Sequence, residues 1–416
     1  MSRFVPAAAR TGRGRLRVTI AVASAVWLAA LVTGVRGAAE TAPEGNPFRG
    51  REIFAQKGCV RCHAIWGHGG SLGPDITVAV MGKTWDELVG DFWNHTPRMI
   101  DEVAQSGYPW PTLDPQEMAD TLSYLYYLRL FDEPGDVVRG ADTFARLQCD
   151  GCHSLGGRGG RIGQPLDRFG TYPSPTPLAQ AMWNAGPRMQ QEQVRRGNPI
   201  PQFVGHEMAD LQAYIRAEGR RTGRVVELQP LPSPDRGALV YRSKQCGVCH
   251  DRPRGTAPDL TRSALSKTVS EITGLLWNHS YVMGATMAAR GIPFPRFSGT
   301  EFPDLISYLY FRGYVGQEGN AARGSAVFAA KGCAACHATG VAGAPNLGAV
   351  LKRTDRAGLA SAMWNHAPQM HRLMAEKAPF WPKFEPGEMR DLAAYLRSLA
   401  SASGSTTGPG NEMVGS

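Results

Sequence analysis

The chain has 416 residues, 43% of them hydrophobic, which is more than one compact domain needs and enough for several buried cores. Its formal net charge is +9, a balance that raises nucleic acid or an anionic surface as a partner. The cations are scattered, however, and no Lys/Arg block with interleaved aromatics occurs, so nucleic acid is not an expected partner.

Residues 1–17 carry five arginines and no acid, and residues 18–35 form an unbroken run of apolar and small side chains. That run is either a secretory signal or an uncleaved anchor, and its length suits a bilayer span. Both readings, and the arginines preceding the run, place the rest of the chain outside the cytoplasm. The expected location is the periplasmic side of the cytoplasmic membrane, tethered through residues 18–35.

From residue 47 the chain repeats itself. Cys-x-x-Cys-His occurs four times, as Cys59/Cys62/His63, Cys149/Cys152/His153, Cys246/Cys249/His250 and Cys333/Cys336/His337, and uses all eight cysteines. This is the attachment pattern of c-type haem: two thiols for thioether bonds and a histidine for the iron. Isolated clusters dozens of residues apart do not supply four zinc ligands. Four covalent haems are therefore expected.

Each motif follows an Arg-Gly pair by nine residues from the glycine: Gly50, Gly140, Gly237 and Gly324. An aromatic lies four residues after each glycine: Phe54, Phe144, Tyr241 and Phe328. Spacing of i and i+4 places both on one face of a short helix, and the glycine permits another helix to cross closely. That other helix is predicted from Glu117–Tyr124, Glu207–Tyr214, Glu301–Tyr308 and Glu388–Tyr395. Asp114 and Ser298 read as its caps, and Thr84 and Thr268 as caps of a third, central helix. A proline follows each haem motif, at Pro74, Pro165, Pro258 and Pro345, where a backbone carbonyl would orient the histidine ring.

For the sixth iron ligand, Trp-Asn is followed six residues after the tryptophan by methionine in every copy: Met99, Met189, Met283 and Met370. Another repeating methionine, Met118, Met208 and Met389, becomes Phe302 in copy 3, so it belongs to the core. Histidine competes at His95, His279 and His366, but copy 2 has Ala185 there. Uniform His/Met ligation is the simpler expectation. Copy 3 also has Tyr281 where the others have Pro97, Pro187 and Pro368, which puts its ligand loop in doubt.

Each copy thereby resembles a class I cytochrome c domain, over about residues 47–400. The resemblance implies an all-α fold of helices around one haem per copy, with electron transfer as the activity. The domains read as 47–134, 135–224, 225–318 with a proline-rich lead-in, and 319–400. They are flanked by a signal or anchor at 1–46 and a tail at 401–416 composed like disorder. Short linkers join copies 1 to 2 and 3 to 4, and a longer proline-stiffened one joins 2 to 3, so two dihaem halves, 1–2 and 3–4, are expected.

The expected function is an exported tetrahaem carrier, not an enzyme, moving electrons between a membrane redox complex and another carrier, alone or as a subunit of a respiratory or photosynthetic complex. The alternative is a peroxidase-like or thiosulfate-oxidising enzyme with one open haem. Copy 1 is acidic on balance and the others basic. This suggests a membrane partner near copy 1 and an acidic soluble one near copy 4, docking at Lys331, Lys352 and Arg353.

Overall fold

The computed structural model describes residues 45–402, except 131–134, 173, 222–229, 252–256, 261–265, 339, 341–343, 348–354 and 378–379. The apolar run 18–35, the tail beyond 402, and Lys352 and Arg353 lie outside the described residues. The fold is all-α. Repeat 1 comprises α1 (Pro47–Gln56), α2 (Trp85–Gln105) and α3 (Pro115–Leu128). Repeat 2 comprises α4 (Val137–Arg146), α5 (Thr176–Arg195) and α6 (Glu207–Arg221). Repeat 3 has α7 (Pro234–Ser243), α8 (Val269–Ala289) and α9 (Glu301–Val315). Repeat 4 has α10 (Ala321–Ala330), α11 (Arg356–Lys377) and α12 (Glu388–Ala402). Two small antiparallel hairpins, Ala64–Ile65 with His68–Gly69 and Ser154–Leu155 with Arg158–Gly159, follow the first two haem motifs in their glycine-rich loops. Among the described residues no helix is long and apolar enough to cross a membrane.

The first and last helices of every repeat cross where the sequence predicts. A methyl group at Gly50, Gly140, Gly237 or Gly324 would overlap the carbonyl oxygen of Asp120, Asp210, Asp304 or Asp391 respectively. Beside each crossing an aromatic pair packs: Phe54–Tyr124 at 5.8 Å, Phe144–Tyr214 at 5.5 Å, Tyr241–Tyr308 at 5.4 Å and Phe328–Tyr395 at 5.5 Å. Such tilted pairs add about 0.5–1.5 kcal/mol each beyond area burial. The core methionine position behaves as expected, with Met118, Met208, Phe302 and Met389 all buried.

The aspartate at each crossing makes the junction polar as well. Its carboxylate accepts from the backbone N–H at the start of the first helix: Asn46 at 2.7 Å, Asp136 at 2.7 Å, Ser233 at 2.7 Å and Asn320 at 2.8 Å. It also pairs with the arginine preceding the glycine, as in Arg139–Asp210 at 2.8 Å and Arg323–Asp391 at 2.6 Å. This explains the arginine of the Arg-Gly pair, for which the sequence suggested no use.

Hydrogen bonds from Arg139 hold the Asp210 carboxyl below its usual pKa. A lowered folded pKa stabilises the fold above the ordinary carboxylate range, and the gain is lost as pH falls through the folded value. Asp210→Asn should therefore cost about 1–3 kcal/mol at neutral pH, and the deficit should shrink on acidification. Denaturant unfolding across an acid pH series checks this.

The capping boxes at Thr84, Asp114 and Thr268 form as predicted. Ser298 does not cap α9: the helix begins after Thr300, and Glu301 instead accepts from the Ser298 N–H at 2.8 Å.

The repeats do not pair as their linkers suggest. Repeat 1 packs on repeat 4, and repeat 2 on repeat 3, through one construction used four times. Each Trp-Asn reaches into the loop before the last helix of the partner. Trp93 Nε1 donates to Pro382 O at 2.8 Å and Trp364 Nε1 to Pro111 O at 2.6 Å. Trp183 Nε1 donates to Pro295 O and Trp277 Nε1 to Pro201 O, both at 2.7 Å. The adjacent asparagine then pairs with both backbone groups of one loop residue: Asn94 with Phe384, Asn365 with Leu113, Asn184 with Phe297 and Asn278 with Phe203. The expected pairing of repeats, 1–2 and 3–4, is thus corrected to 1·4 and 2·3. A short linker limits reach, but it supplies no interface. Copies 1 and 4 are consequently neighbours rather than opposite ends of the molecule.

The two pairs meet between repeats 1 and 3. Tyr126 on α3 is fully buried, donates to Ser307 O on α9 at 2.6 Å, and packs against Tyr314 at 5.1 Å. Beside it the buried Arg129 donates to Val80 O and Lys83 O, at 2.6 and 2.7 Å, and lies over the Tyr314 ring.

Candidate haem sites

Each motif ends in a histidine whose ring is fixed by the loop that follows. His63 Nδ1 lies 3.0 Å from Pro74 O, His250 Nδ1 2.9 Å from Pro258 O, and His337 Nδ1 3.0 Å from Pro345 O. In repeat 2 the acceptor is Gln164 O, at 2.8 Å from His153 Nδ1, so the equivalent position is one residue before Pro165. A carbonyl accepts only, so Nδ1 carries the proton and Nε2 is left with its lone pair for a metal. In repeats 1 and 2 the loop runs so close over the ring that a side chain at Gly73 or Gly163 would overlap the imidazole.

In repeat 1 these groups border a cavity of about 260 Å³, lined by Cys59, Cys62 and His63 on one side and by α2 on the other. The rest is mostly apolar, including Phe54, Leu72, Ile76, Val80 and Leu125, with Trp364 entering from repeat 4. Two thiols at the rim, an oriented imidazole with a free Nε2 and an apolar interior fit a covalently attached haem. The thiols would bind its edge and the imidazole its iron; the group would supply one-electron redox chemistry, and the surrounding side chains exclude water from it.

None of the eight cysteines is in a disulfide. Burial pushes the first thiol of each motif up, Cys59, Cys246 and Cys333 to about 11 and Cys149 to about 12. These sulfurs pack against the apolar clusters, as the inner edge of a haem pocket requires.

The two thiols of a motif differ in what they pack against. The second cysteines, Cys62, Cys152, Cys249 and Cys336, are not members of the apolar clusters that hold the first. Cys62, Cys152 and Cys249 are half-buried and Cys336 is exposed. The cause is the tight turn of the motif: the N–H of Cys152 donates to Cys149 O at 3.2 Å and that of Cys249 to Cys246 O at 3.3 Å. That turn directs the first side chain to the core and leaves the second towards the surface. Loop backbone covers Cys152, where a side chain at Gly160 would overlap its main chain. Cys249 Sγ instead accepts from Arg290 Nη1 at 3.4 Å, at the end of α8. Cys152 and Cys249 thus fit the outer edge of a haem.

The central helix supplies the opposite wall. His95 and Met99 both line the repeat 1 cavity, as i and i+4 on one helical face. In repeat 4 the His366 ring lies 6.0 Å from that of the proximal His337, at an interplanar angle of 74°. Burial, reinforced by the imidazole of His250 or His337 respectively, lowers the pKa of His279 and His366. Met189, Met283 and Met370 pack beside the buried clusters of their own repeats, and repeat 2 offers no histidine at this position.

The segment that carries the candidate ligand methionines is not a loop in any repeat. Pro97, Pro187 and Pro368 lie inside helices, and Tyr281 continues α8 without a break. The prolines have a local consequence that sequence reading missed. Pro97 has no N–H for the carbonyl of Trp93 four residues earlier. That carbonyl accepts from Trp381 Nε1 at 2.9 Å. Pro368 likewise frees Trp364 O, which accepts from Trp110 Nε1 at 3.3 Å. The stacked pair Trp93–Trp381 and the tilted pair Trp110–Trp364, both with ring centroids 4.5 Å apart, accompany this exchange. The signal was present as an aromatic-Pro-x-Leu/Phe segment at 110–113, 294–297 and 381–384, and Ile-Pro-Gln-Phe at 200–203.

Of the proposed docking cations, Lys331 is ion-paired with Glu388 at 2.8 Å. The Cytochrome c family model matches residues 48–129 and 321–400. These are repeats 1 and 4, the two members of one pair. No curated protein and no solved structure matches the chain. With helical repeats, oriented histidines and thiol pairs in place, repeats 1 and 4 match the cytochrome c family, and the chain as a whole is consistent with a c-type cytochrome of repeated domains.

Proposed function

We propose that the protein is a tetrahaem electron carrier, exported and held at the periplasmic face of the membrane through residues 18–35. It transfers electrons between a membrane redox complex and another carrier, not as an enzyme in its own right. The observation that carries this reading is the fourfold repetition of one histidine arrangement, each Nδ1 bound to a backbone carbonyl beside a Cys-x-x-Cys pair. Haem-based electron transfer is the role that the family match supports. Four haems in one chain make it a conduit rather than a single-electron shuttle. Intact mass after expression with a haem-attachment system should show four haems, and fewer would sink the count. Stoichiometric, rapid carbon monoxide binding by the resting protein would instead favour an enzyme with an open site.

For the sixth ligands we propose Met99, Met189, Met283 and Met370. A second reading, histidine at repeat 4, is favoured by the position of His366 opposite His337. Met189→Ala tests the methionine assignment where no histidine competes. It should remove the sulfur-to-iron band of one haem and open that site to cyanide. An unchanged spectrum would overturn the assignment in repeat 2.

A further inference from the structure

The Trp-Asn clamp does more than join repeats. Trp364 belongs to repeat 4, yet it lines the cavity that contains Cys59, Cys62, His63 and Met99 of repeat 1. Two residues further along α11, His366 faces the proximal His337 of its own repeat. One helix therefore borders two haem sites.

The other three tryptophans make the same bond to a partner proline and belong to apolar clusters that reach the partner's motif. Trp93 of repeat 1 sits in the cluster that packs against Cys333 and Met370 of repeat 4. Trp183 of repeat 2 shares a cluster with Cys246 and Met283 of repeat 3. Trp277 of repeat 3 does so with Cys149 and Met189 of repeat 2. In every case the indole N–H is engaged by a proline carbonyl, so the rest of the ring is apolar surface, which for Trp364 lines the repeat 1 cavity.

We propose that the four haem sites are composite: each is closed by the tryptophan of the partner repeat, and this tryptophan is a positioning residue that tunes the partner's redox potential. This rests on the reading that each motif carries a haem. The physical basis is dielectric. An apolar wall excludes water and disfavours the more highly charged ferric state, which raises the potential. Opening that wall admits water and lowers it. Neighbouring sites are thereby coupled 1·4 and 2·3. The junction of Tyr126 with Ser307, in the cluster that packs against both Cys59 and Cys246, joins the pairs through repeats 1 and 3. The spatial order of sites is 4, 1, 3, 2.

The test is potentiometric titration of the full-length holoprotein, followed by visible absorption, after intact mass has counted the haems. Trp364→Ala should move one redox step to lower potential. Trp364→Phe, which keeps an apolar ring but loses the bond to Pro111, should leave that step near its original position. The shift should vanish when the haem of repeat 1 is removed by Cys59→Ala with Cys62→Ala. It should persist when that of repeat 4 is removed by Cys333→Ala with Cys336→Ala. The reverse pattern, or no shift in the parent protein, would overturn the proposal. Should the cysteine variants not fold, Met99→His keeps both thioether cysteines and marks the repeat 1 step. Combined with Trp364→Ala, both changes should then fall on one step, and changes on two separate steps would overturn the proposal. A haem count below four counts against the carrier reading alone, since the titration needs only repeats 1 and 4 loaded.

Discussion

Gly324→Val is expected to unpack repeat 4 while leaving its haem covalently attached. Valine gains only about 0.4 kcal/mol of helix propensity over glycine. Against this, any Cβ at residue 324 overlaps the Asp391 carbonyl oxygen, and Tyr395 lies beside it. The obstacle is backbone, not the end of a flexible side chain, so α10 and α12 must separate. Overpacking of this kind costs about 1–3 kcal/mol, and here the upper end is expected because separation also stretches the Arg323–Asp391 pair and parts Phe328 from Tyr395. Thermal unfolding should show an early transition, accompanied by loss of the ligand band from one haem. Gly151→Ala is the control: it meets open space and should be close to neutral. A valine at 324 as stable as the parent would mean that the helices do not cross there.

Asn94→Ala combined with Asn365→Ala should separate repeats 1 and 4 without disturbing repeats 2 and 3. Each asparagine satisfies both backbone groups of a loop residue, at 2.8 and 2.9 Å for Phe384 and at 2.9 and 2.7 Å for Leu113. Removing Asn94 takes the partner from both the N–H and the C=O of Phe384, whereas removing Asn365 takes it from the Leu113 N–H alone, since the Leu113 carbonyl still accepts from Ser361 Oγ at 2.7 Å. Each buried group left unpaired costs about 1–3 kcal/mol. The two losses lie across one interface and will not add simply. Hydrogen exchange reads the outcome: the Leu113 and Phe384 amides should lose protection, whereas Phe203 and Phe297, held by Asn278 and Asn184, should keep it. Equal loss in both pairs would mean that the four repeats form one cooperative unit.

The interior of a repeat was largely legible in the sequence because its determinants are local. Gly50 and Phe54 share a helical face, Thr84 and Glu87 close a capping box, and His63 lies eleven residues from its carbonyl partner. Such patterns survive within a window of a dozen residues. The pairing of repeats was not legible in the same way. Trp93 and Pro382 are 289 residues apart, and nothing in either segment names the other. The Trp-Asn pair reads as a marker of the iron ligand, since it occurs at constant spacing from methionine. Its constancy has another cause, the partner loop. The linkers misled for a physical reason too: chain length bounds distance, while side-chain complementarity decides contact. The choice between His95 and Met99 stayed open because both fall on one face of α2 and both reach the cavity.

The clamps are nested. The inner pair closes contacts over 75 to 113 residues, the outer pair over 252 to 290. A chain emerging from its N-terminus can close both inner clamps as soon as residue 297 is available, and repeat 3 is complete once α9 follows. Repeat 1, finished first, must wait for residue 384 before its indole and its 110–113 segment are covered. Closing so long a loop is entropically slow, and apolar surface is exposed meanwhile. Maturation therefore has a vulnerable interval that belongs to the oldest part of the chain. A stop codon anywhere in repeat 4 harms repeat 1 before it harms its nearer neighbours.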